Sequence, residues 1–475
     1  MPSRLAKIRN SVIKVHTQSD APDYDQPWQK KGVESSAGSA LIVSTRRGPR
    51  VLTNAHVVQN QVFVQVRRYG QATKYVAEVE GVGHECDLAL LSVADDRFFR
   101  GTTPIQVGEL PTLGQQVTVL GYPVGGERLS VIRGIVSRIE VMSYTQSQRR
   151  LLAVQIDAAI NSGNSGGPVV DEEGKLVGVA FEALEEADNI GYMVGSPVVR
   201  HFLEDMDVGT FDGFPDLGVE TQNLESSAHR HALDLPAKQL GGLLASEVVY
   251  GGSAWRMLHR GDVILKIGST PVASDGSVRF RKGERIHYSH LVARHHVGET
   301  LRATFWRKGT VKSCDIKLKP AHYLVPEDRY DVRPTYYTFG GLLFVPLSRD
   351  YLKTWGSEWW NHAPASLMAV YENAVRTQSR QEVVVLQKVM ADRVNRGYHD
   401  IESQIVTRAQ GKKVRHLRHL VQILDRTRQK FVRLELDDGR TIVLERAAAQ
   451  QRQAEILGNF GIPRDRSDDL SRGPK

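Results

Sequence analysis

Residues 157–168 read Asp-Ala-Ala-Ile-Asn-Ser-Gly-Asn-Ser-Gly-Gly-Pro, and this segment limits the possible folds more than any other part of the chain. Ser165 stands between Gly163 and the pair Gly166-Gly167. Glycines so placed allow a tight turn that exposes the hydroxyl. They also let the N–H groups of Gly163 and Ser165 point at one spot, where a developing oxyanion would be stabilised. Such a string alone carries little weight, because ordinary turns contain similar ones. A serine hydroxyl is a weak nucleophile near neutral pH and needs a base beside it.

Two upstream residues supply that chemistry. His56 lies in Leu52-Thr53-Asn54-Ala55-His56-Val57-Val58, and Asp87 in Cys86-Asp87-Leu88-Ala89-Leu90-Leu91. An imidazole can take the serine proton, and a carboxylate can fix its tautomer and stabilise its charged form. The order His, Asp, Ser is that of the chymotrypsin-type double barrel and differs from the order in subtilisins and α/β-hydrolases. The flanking sequence agrees. Ala40–Val43 and Arg50–Thr53 flank a Gly-Pro turn, predicting a hairpin that delivers His56. Val62–Val66, Gln116–Leu120 and Leu176–Ala180 continue a series of short strands with glycine-rich connections, which implies antiparallel barrels.

TNAHVV, the aspartate of DLALL and DAAINSGNSGGP together resemble the Deg/HtrA serine proteases, over residues 1–205. The resemblance implies that His56 is the general base, Asp87 its orienting carboxylate and Ser165 the nucleophile, with Gly163 and Ser165 forming the oxyanion hole. Ser162 departs from the proline of many members, which changes loop stiffness but removes no catalytic group. The same resemblance places the substrate pocket at Ala159, Ile160, Phe181, Gly191 and Met193. No aspartate stands there, so a basic side chain would lose hydration without gaining a partner, and small or medium aliphatic residues are expected. Segments 122–126 and 182–188 match loops that the family uses for activation. The family also implies a homo-oligomer, a trimer or hexamer.

Beyond Pro197 and the Phe211-Asp212-Gly213-Phe214-Pro215 stretch, read as the exit from the protease domain, the chain repeats itself weakly. HLVARHHVGETLRATFWRKGTVKSCDIKL begins at His290, and HLVQILDRTRQKFVRLELDDGRTIVLERA at His419. Each predicts a helix followed by a hairpin around Gly309 or Gly439. The copies resemble tandem PDZ modules, the second divergent because Asn395-Arg396-Gly397-Tyr398 replaces the Gly-Asp turn of the first. The overall expectation is a mostly β multidomain chain: a chymotrypsin-like double β-barrel (1–205), two PDZ-like α+β modules (212–322 and 335–446), and a tail (447–475). PDZ modules add a peptide strand to a sheet edge, here through Leu217, Gly218 and Val219, with Gly340-Gly341-Leu342 the counterpart in the second copy. His290 and His419 are read as helix-start residues, the Tyr336–Trp360 aromatics as core, and residues 464–469 as poorly ordered.

Composition narrows the alternatives. Hydrophobic residues make up 41% and charged residues 24% of 475, the balance of a globular chain. No apolar run is long enough for a membrane span, and the basic N-terminus has no apolar core of a secretory signal, so a cytoplasmic location is expected. Two cysteines, Cys86 and Cys314, give no disulfide framework. The net charge of +8 is scattered among acids, which argues against a nucleic-acid partner. No cofactor or metal motif is present, and unfolded or peptide substrates are the expected partners. The leading function is serine endopeptidase degradation of unfolded or damaged proteins, regulated by PDZ modules. The rival is a PDZ scaffold or chaperone-like binding protein with latent or little peptidase activity.

Overall fold

The computed structural model describes residues 7–471 except 124, 159, 161, 162, 184–189, 237, 239 and 240. Twelve strands close into two barrels. The first contains β1 (Val12–Pro22), β2 (Lys30–Thr45), β3 (Gly48–Thr53), β4 (Gln61–Arg68), β5 (Lys74–Gly83) and β6 (Leu88–Ser92), in the order β1-β2-β3-β6-β5-β4. The second contains β7 (Gln116–Gly121), β8 (Ser130–Ser143), β9 (Arg150–Ile156), β10 (Pro168–Val170), β11 (Leu176–Ala183) and β12 (Gly191–Gly195), in the order β10-β11-β12-β9-β8-β7.

Alternation along each strand builds the layers. Ala40 and Ile42 of β2 join Val51 and Leu91 inside the first barrel. Leu41 and Val43 point the other way, into a cluster shared with Leu120, Leu152 and Val179 of the second. Both faces of these strands are covered, which is why they read as continuous apolar runs. The predicted β2–β3 hairpin forms with Leu41 opposite Leu52 and Val43 opposite Arg50.

Pro197 does not mark the exit from the barrels. It sits in the first turn of a helix, Ser196–Val208, that packs Phe202 and Met206 onto the shared cluster. A proline there sacrifices no helical hydrogen bond and presets the first turn. The exit follows at Gly209, whose φ of 140° ends the helix.

The chain divides into two compact units, residues 1–20 with 33–321, and 21–32 with 322–475. In the first, the module after the barrels has a six-stranded sheet with Val219–Asn223 on one edge, and its predicted helix and Gly309 hairpin form at Ser289–Ala293, Thr300–Arg307 and Thr310–Lys317. His290 is not a solvated helix-start residue. It lies edge-on against Phe280, and burial pushes its pKa down to about 4.

In the second unit the corresponding strand, Leu342–Pro346, is not an edge. Tyr337–Phe339 pairs with it on one side and Val384–Val389 on the other. Gly340 and Gly341 turn between the paired strands, both at positive φ, and a Cβ on Gly341 would lie 2.2 Å from Asn395 Nδ2. Asn395, from the segment that replaces the Gly-Asp turn, donates to the Gly340 and Met390 carbonyls. The Gly340 N–H is taken by Gln453 of the Arg446–Asn459 helix. Tyr336, Tyr337, Tyr351 and Trp359 are buried, as the core reading expects, whereas Trp360 is exposed.

Residues 464–469, expected to be poorly ordered, are tied down. Thr338 N donates to Asp465 O, and Arg466 pairs with Asp425 and bridges to Tyr337. The tip between β1 and β2 belongs to this unit as well. Trp28 meets Tyr336 edge-on, Gln387 donates to the Asp25 carbonyl, and Lys388 pairs with the Asp25 carboxylate.

Candidate active site

β3 ends at Thr53, and a one-turn helix, Ala55–Val58, places His56 at the mouth of the first barrel. Asp87 follows the short His84–Cys86 turn with φ 53°, a left-handed conformation that aspartate tolerates better than bulky residues. Its side chain is 1% exposed and accepts from His56 twice: from the backbone N–H at 2.9 Å and from ring Nδ1 at 2.7 Å. A buried carboxylate needs such donors to offset lost hydration. Asn54 Nδ2 donates to the Asp87 carbonyl at 2.7 Å, fixing the turn that carries it.

Ser165 lies on the second barrel, yet the first barrel holds its loop. Ser39 N donates to Ser165 O at 2.9 Å, and Ser39 Oγ donates to Gly163 O at 2.7 Å. Tyr122 N in turn donates to Ser39 Oγ, and Thr53 Oγ1 donates to Ser39 O, each at 2.7 Å. Thr53 is three residues before His56, so one buried serine ties the Ser165 turn to the strand that carries the imidazole. Gly166 makes the approach possible: at φ 85°, a Cβ there would sit 2.0 Å from Ser39 O. The Ser165 hydroxyl donates to the Phe181 carbonyl at 3.2 Å.

Ile160, Phe181, Gly191 and Met193 are all buried. Gly191 pairs with Ile156 and Ala183, and Met193 with Val154 and Ala180, so β12 forms a wall beside the Ser165 turn. The Ile160 side chain crosses Gly191, where an added Cβ would lie 2.6 Å from it. Ala159, Ser162 and segment 184–189 lie outside the described residues. Cys86 is fully buried and burial holds its thiol well above the ordinary range, so it is a small apolar filler beside Asp87.

Sequence reasoning missed Ser39 and Arg149. Ser39 carries no motif, because its role exists only when the barrels meet. Arg149 is buried and bonds to Glu85, to the Phe214 carbonyl and to Asp216, next to Leu217-Gly218-Val219. Gly218 N is already engaged by Asp216 Oδ1 at 2.7 Å, and Leu217 and Val219 are largely buried.

Two closed six-stranded barrels, with a His–Asp pair on one and a glycine-flanked serine on the other, define the trypsin-like serine peptidases. Residues 38–179 match the trypsin-like peptidase domain, and residues 325–469 match the PDZ domain. The chain is 39% identical over 468 residues to protease Do-like 2, chloroplastic, of Arabidopsis thaliana, covering 98% of this chain and 76% of that one. It is 37% identical over 465 residues to putative protease Do-like 3, mitochondrial, of the same plant, covering 97% and 80%. The chain belongs to the Deg/HtrA family of serine proteases. Among solved structures, the HtrA-type protease AlgW with tripeptide shares 25% identity and a TM-score of 0.53, covering 67% of this chain and 96% of that one. Among the described residues, no helix is long and apolar enough to cross a membrane.

Proposed function

We propose that this chain is a serine endopeptidase that cuts unfolded or damaged proteins through an acyl-enzyme. The observation that carries this reading is the double hydrogen bond of buried Asp87 to His56, joined through Thr53 and Ser39 to the Ser165 turn. Ser165 Oγ attacks the scissile carbonyl while His56 takes its proton. Asp87 holds the ring and stabilises the imidazolium. The N–H groups of Gly163 and Ser165 receive the oxyanion, and His56 protonates the leaving amine; water then repeats the sequence in reverse. Replacing Ser165 or His56 by alanine is expected to lower the rate by roughly four to six powers of ten. Casein degradation and fluorophosphonate labelling by wild type and Ser165→Ala test this. Equal degradation by both proteins would refute it.

The pocket favours small aliphatic residues, because Ile160 lies across Gly191 and narrows the slot while supplying no charge. A fluorogenic peptide library should rank valine and alanine above arginine and lysine before the cleaved bond. The first module takes a peptide along Val219–Asn223, a strand that among the described residues pairs on one side only, with Leu243–Val248. The second takes none by this route, since the chain's own Tyr337–Phe339 fills the position. A trimer or hexamer is the assembly proposed, and sizing chromatography with light scattering decides it. The free cysteines fit a reducing compartment, and a fluorescent fusion separates cytoplasm from the organelles named for the plant relatives.

One observation favours a latent form of the enzyme, in which modules bind and cutting is held back. The Ser165 hydroxyl is donated to the Phe181 carbonyl, a bond that must break for attack. A peptide that fits the first module should then raise the labelling rate.

A further inference from the structure

Away from the cleft, the Ser196–Val208 helix presents His201 and Asp205 one turn apart, on the same face. His296, distant in sequence, closes onto them from the segment after the Ser289–Ala293 helix. Asp205 Oδ1 is 2.6 Å from His296 Nδ1, and Asp205 Oδ2 is 3.7 Å from His201 Nε2. The two imidazoles lie face to face, centroids 4.1 Å apart. One nitrogen or oxygen from each of the three residues falls within 4.8 Å of the others.

The unexplained atom is His201 Nε2. His201 is 5% exposed, and this nitrogen is buried with no hydrogen-bond partner. The Gly213 backbone also hydrogen-bonds to the ring. A neutral imidazole held that way turns a lone pair toward the Asp205 carboxylate, so two acceptors face each other 3.7 Å apart. A buried acceptor left bare is costly. A cation between the two removes the conflict.

The surroundings match what metal-binding imidazoles require. Such rings direct their second nitrogen to a carbonyl or carboxylate, which fixes tautomer and orientation. Here the Gly213 backbone serves His201, and Glu204 Oε2, 3.2 Å from His296 Nε2, serves His296. Two imidazoles and one carboxylate suit a borderline-soft transition ion and are a poor set for calcium or magnesium, which take oxygen ligands. Bonds of about 2.1 Å in a tetrahedron set ligand atoms about 3.4 Å apart. His296 would therefore back away from Asp205 slightly, and His201 would draw in. A pocket of about 210 Å³ bordered by Glu204, Phe214, His290 and Arg294 adjoins the cluster and admits a water as fourth ligand.

We propose that His201, Asp205 and His296 bind a zinc-type ion that fastens the first module to the helix closing the second barrel. The probe is Zn²⁺, or Co²⁺ for its visible ligand-field band, added to metal-stripped full-length Ser165→Ala protein. One equivalent should bind in the micromolar range or tighter, with a tetrahedral Co²⁺ spectrum and a raised Tm. His296→Asn and Asp205→Asn should each weaken binding at least tenfold, while the remote His231→Asn leaves it unchanged. His296 is half-exposed, so its replacement tests the site even where His201→Asn fails to fold. Absence of uptake at these concentrations would overturn the proposal. So would uptake that survives both His296→Asn and Asp205→Asn, or that disappears only with His56→Ala.

Discussion

Replacing Ser39 by alanine should disable the enzyme without touching a group that contacts substrate. The side chain is fully buried and its hydroxyl serves two main-chain groups, donating to Gly163 O and accepting from Tyr122 N, both at 2.7 Å. Alanine strands both. Each unpaired buried group costs about 1–3 kcal/mol, so a loss of about 3 kcal/mol is expected after partial relaxation. For a unit of about 310 residues that corresponds to a Tm lowered by roughly 5 °C. The larger consequence falls on Gly163. Its carbonyl is no longer anchored, so the peptide groups around it lose a fixed direction, and the N–H proposed for the oxyanion hole is no longer held in place. Loss of one such donor costs about 10²–10³ in kcat. The assay is kcat and KM on a small peptide ester at a temperature well below the lowered Tm, with circular dichroism to confirm folding. A Ser39→Ala protein that is destabilised but keeps wild-type kcat would refute the clamp, because stability and oxyanion geometry would then be independent.

Arg149→Met should lower stability by only about 1–2 kcal/mol, since its partners Glu85 and Asp216 are 30% and 41% exposed, but should open the segment around Phe214 to limited proteolysis. Cutting there at the wild-type rate would count against a fastening role. Gly341→Ala places a methyl group 2.2 Å from Asn395 Nδ2 at a positive φ, so the second unit should lose more than about 3 kcal/mol in a urea titration, with cleavage of small esters retained. His16 gives a pH signature. Burial, then Lys74, Lys14 and Arg67, push its pKa down to about 4 against a modest opposite pull from Glu127, and its Nε2 is buried and unbonded. The unfolded chain therefore binds the proton first, and the stability His16 contributes is complete above about pH 6.5 and declines as pH falls toward 4. Thermal melts across that window should be flatter for His16→Phe than for wild type; parallel curves would show that His16 does not titrate as described.

Much of the first barrel pair was legible because its signals are local. Alternation fixes strands, glycines fix turns, and the β2–β3 hairpin follows from two apolar runs around Gly48-Pro49. The helix-then-hairpin pattern of both modules was legible for the same reason. Three expectations failed where tertiary neighbours decide. Pro197 reads equally well as a linker residue and as a first-turn helix residue. His290 is only partly exposed, with Phe280 edge-on against its ring. The charged 464–469 segment is ordered by partners in the Tyr337–Phe339 strand and at Asp425, far away in sequence.

The linear order of residues thus determined the class of chain, the elements and the identity of the His56–Asp87 pair, because each is written in a short window or in a motif whose spacing has chemical meaning. Folding alone decided that Ser39 clamps the Ser165 turn, that the second module fills its own sheet edge, that residues 21–32 join the second unit, and that His201 and Asp205 face His296. Those contacts join segments tens to hundreds of residues apart. Their energies depend on burial and direction, which no local periodicity encodes.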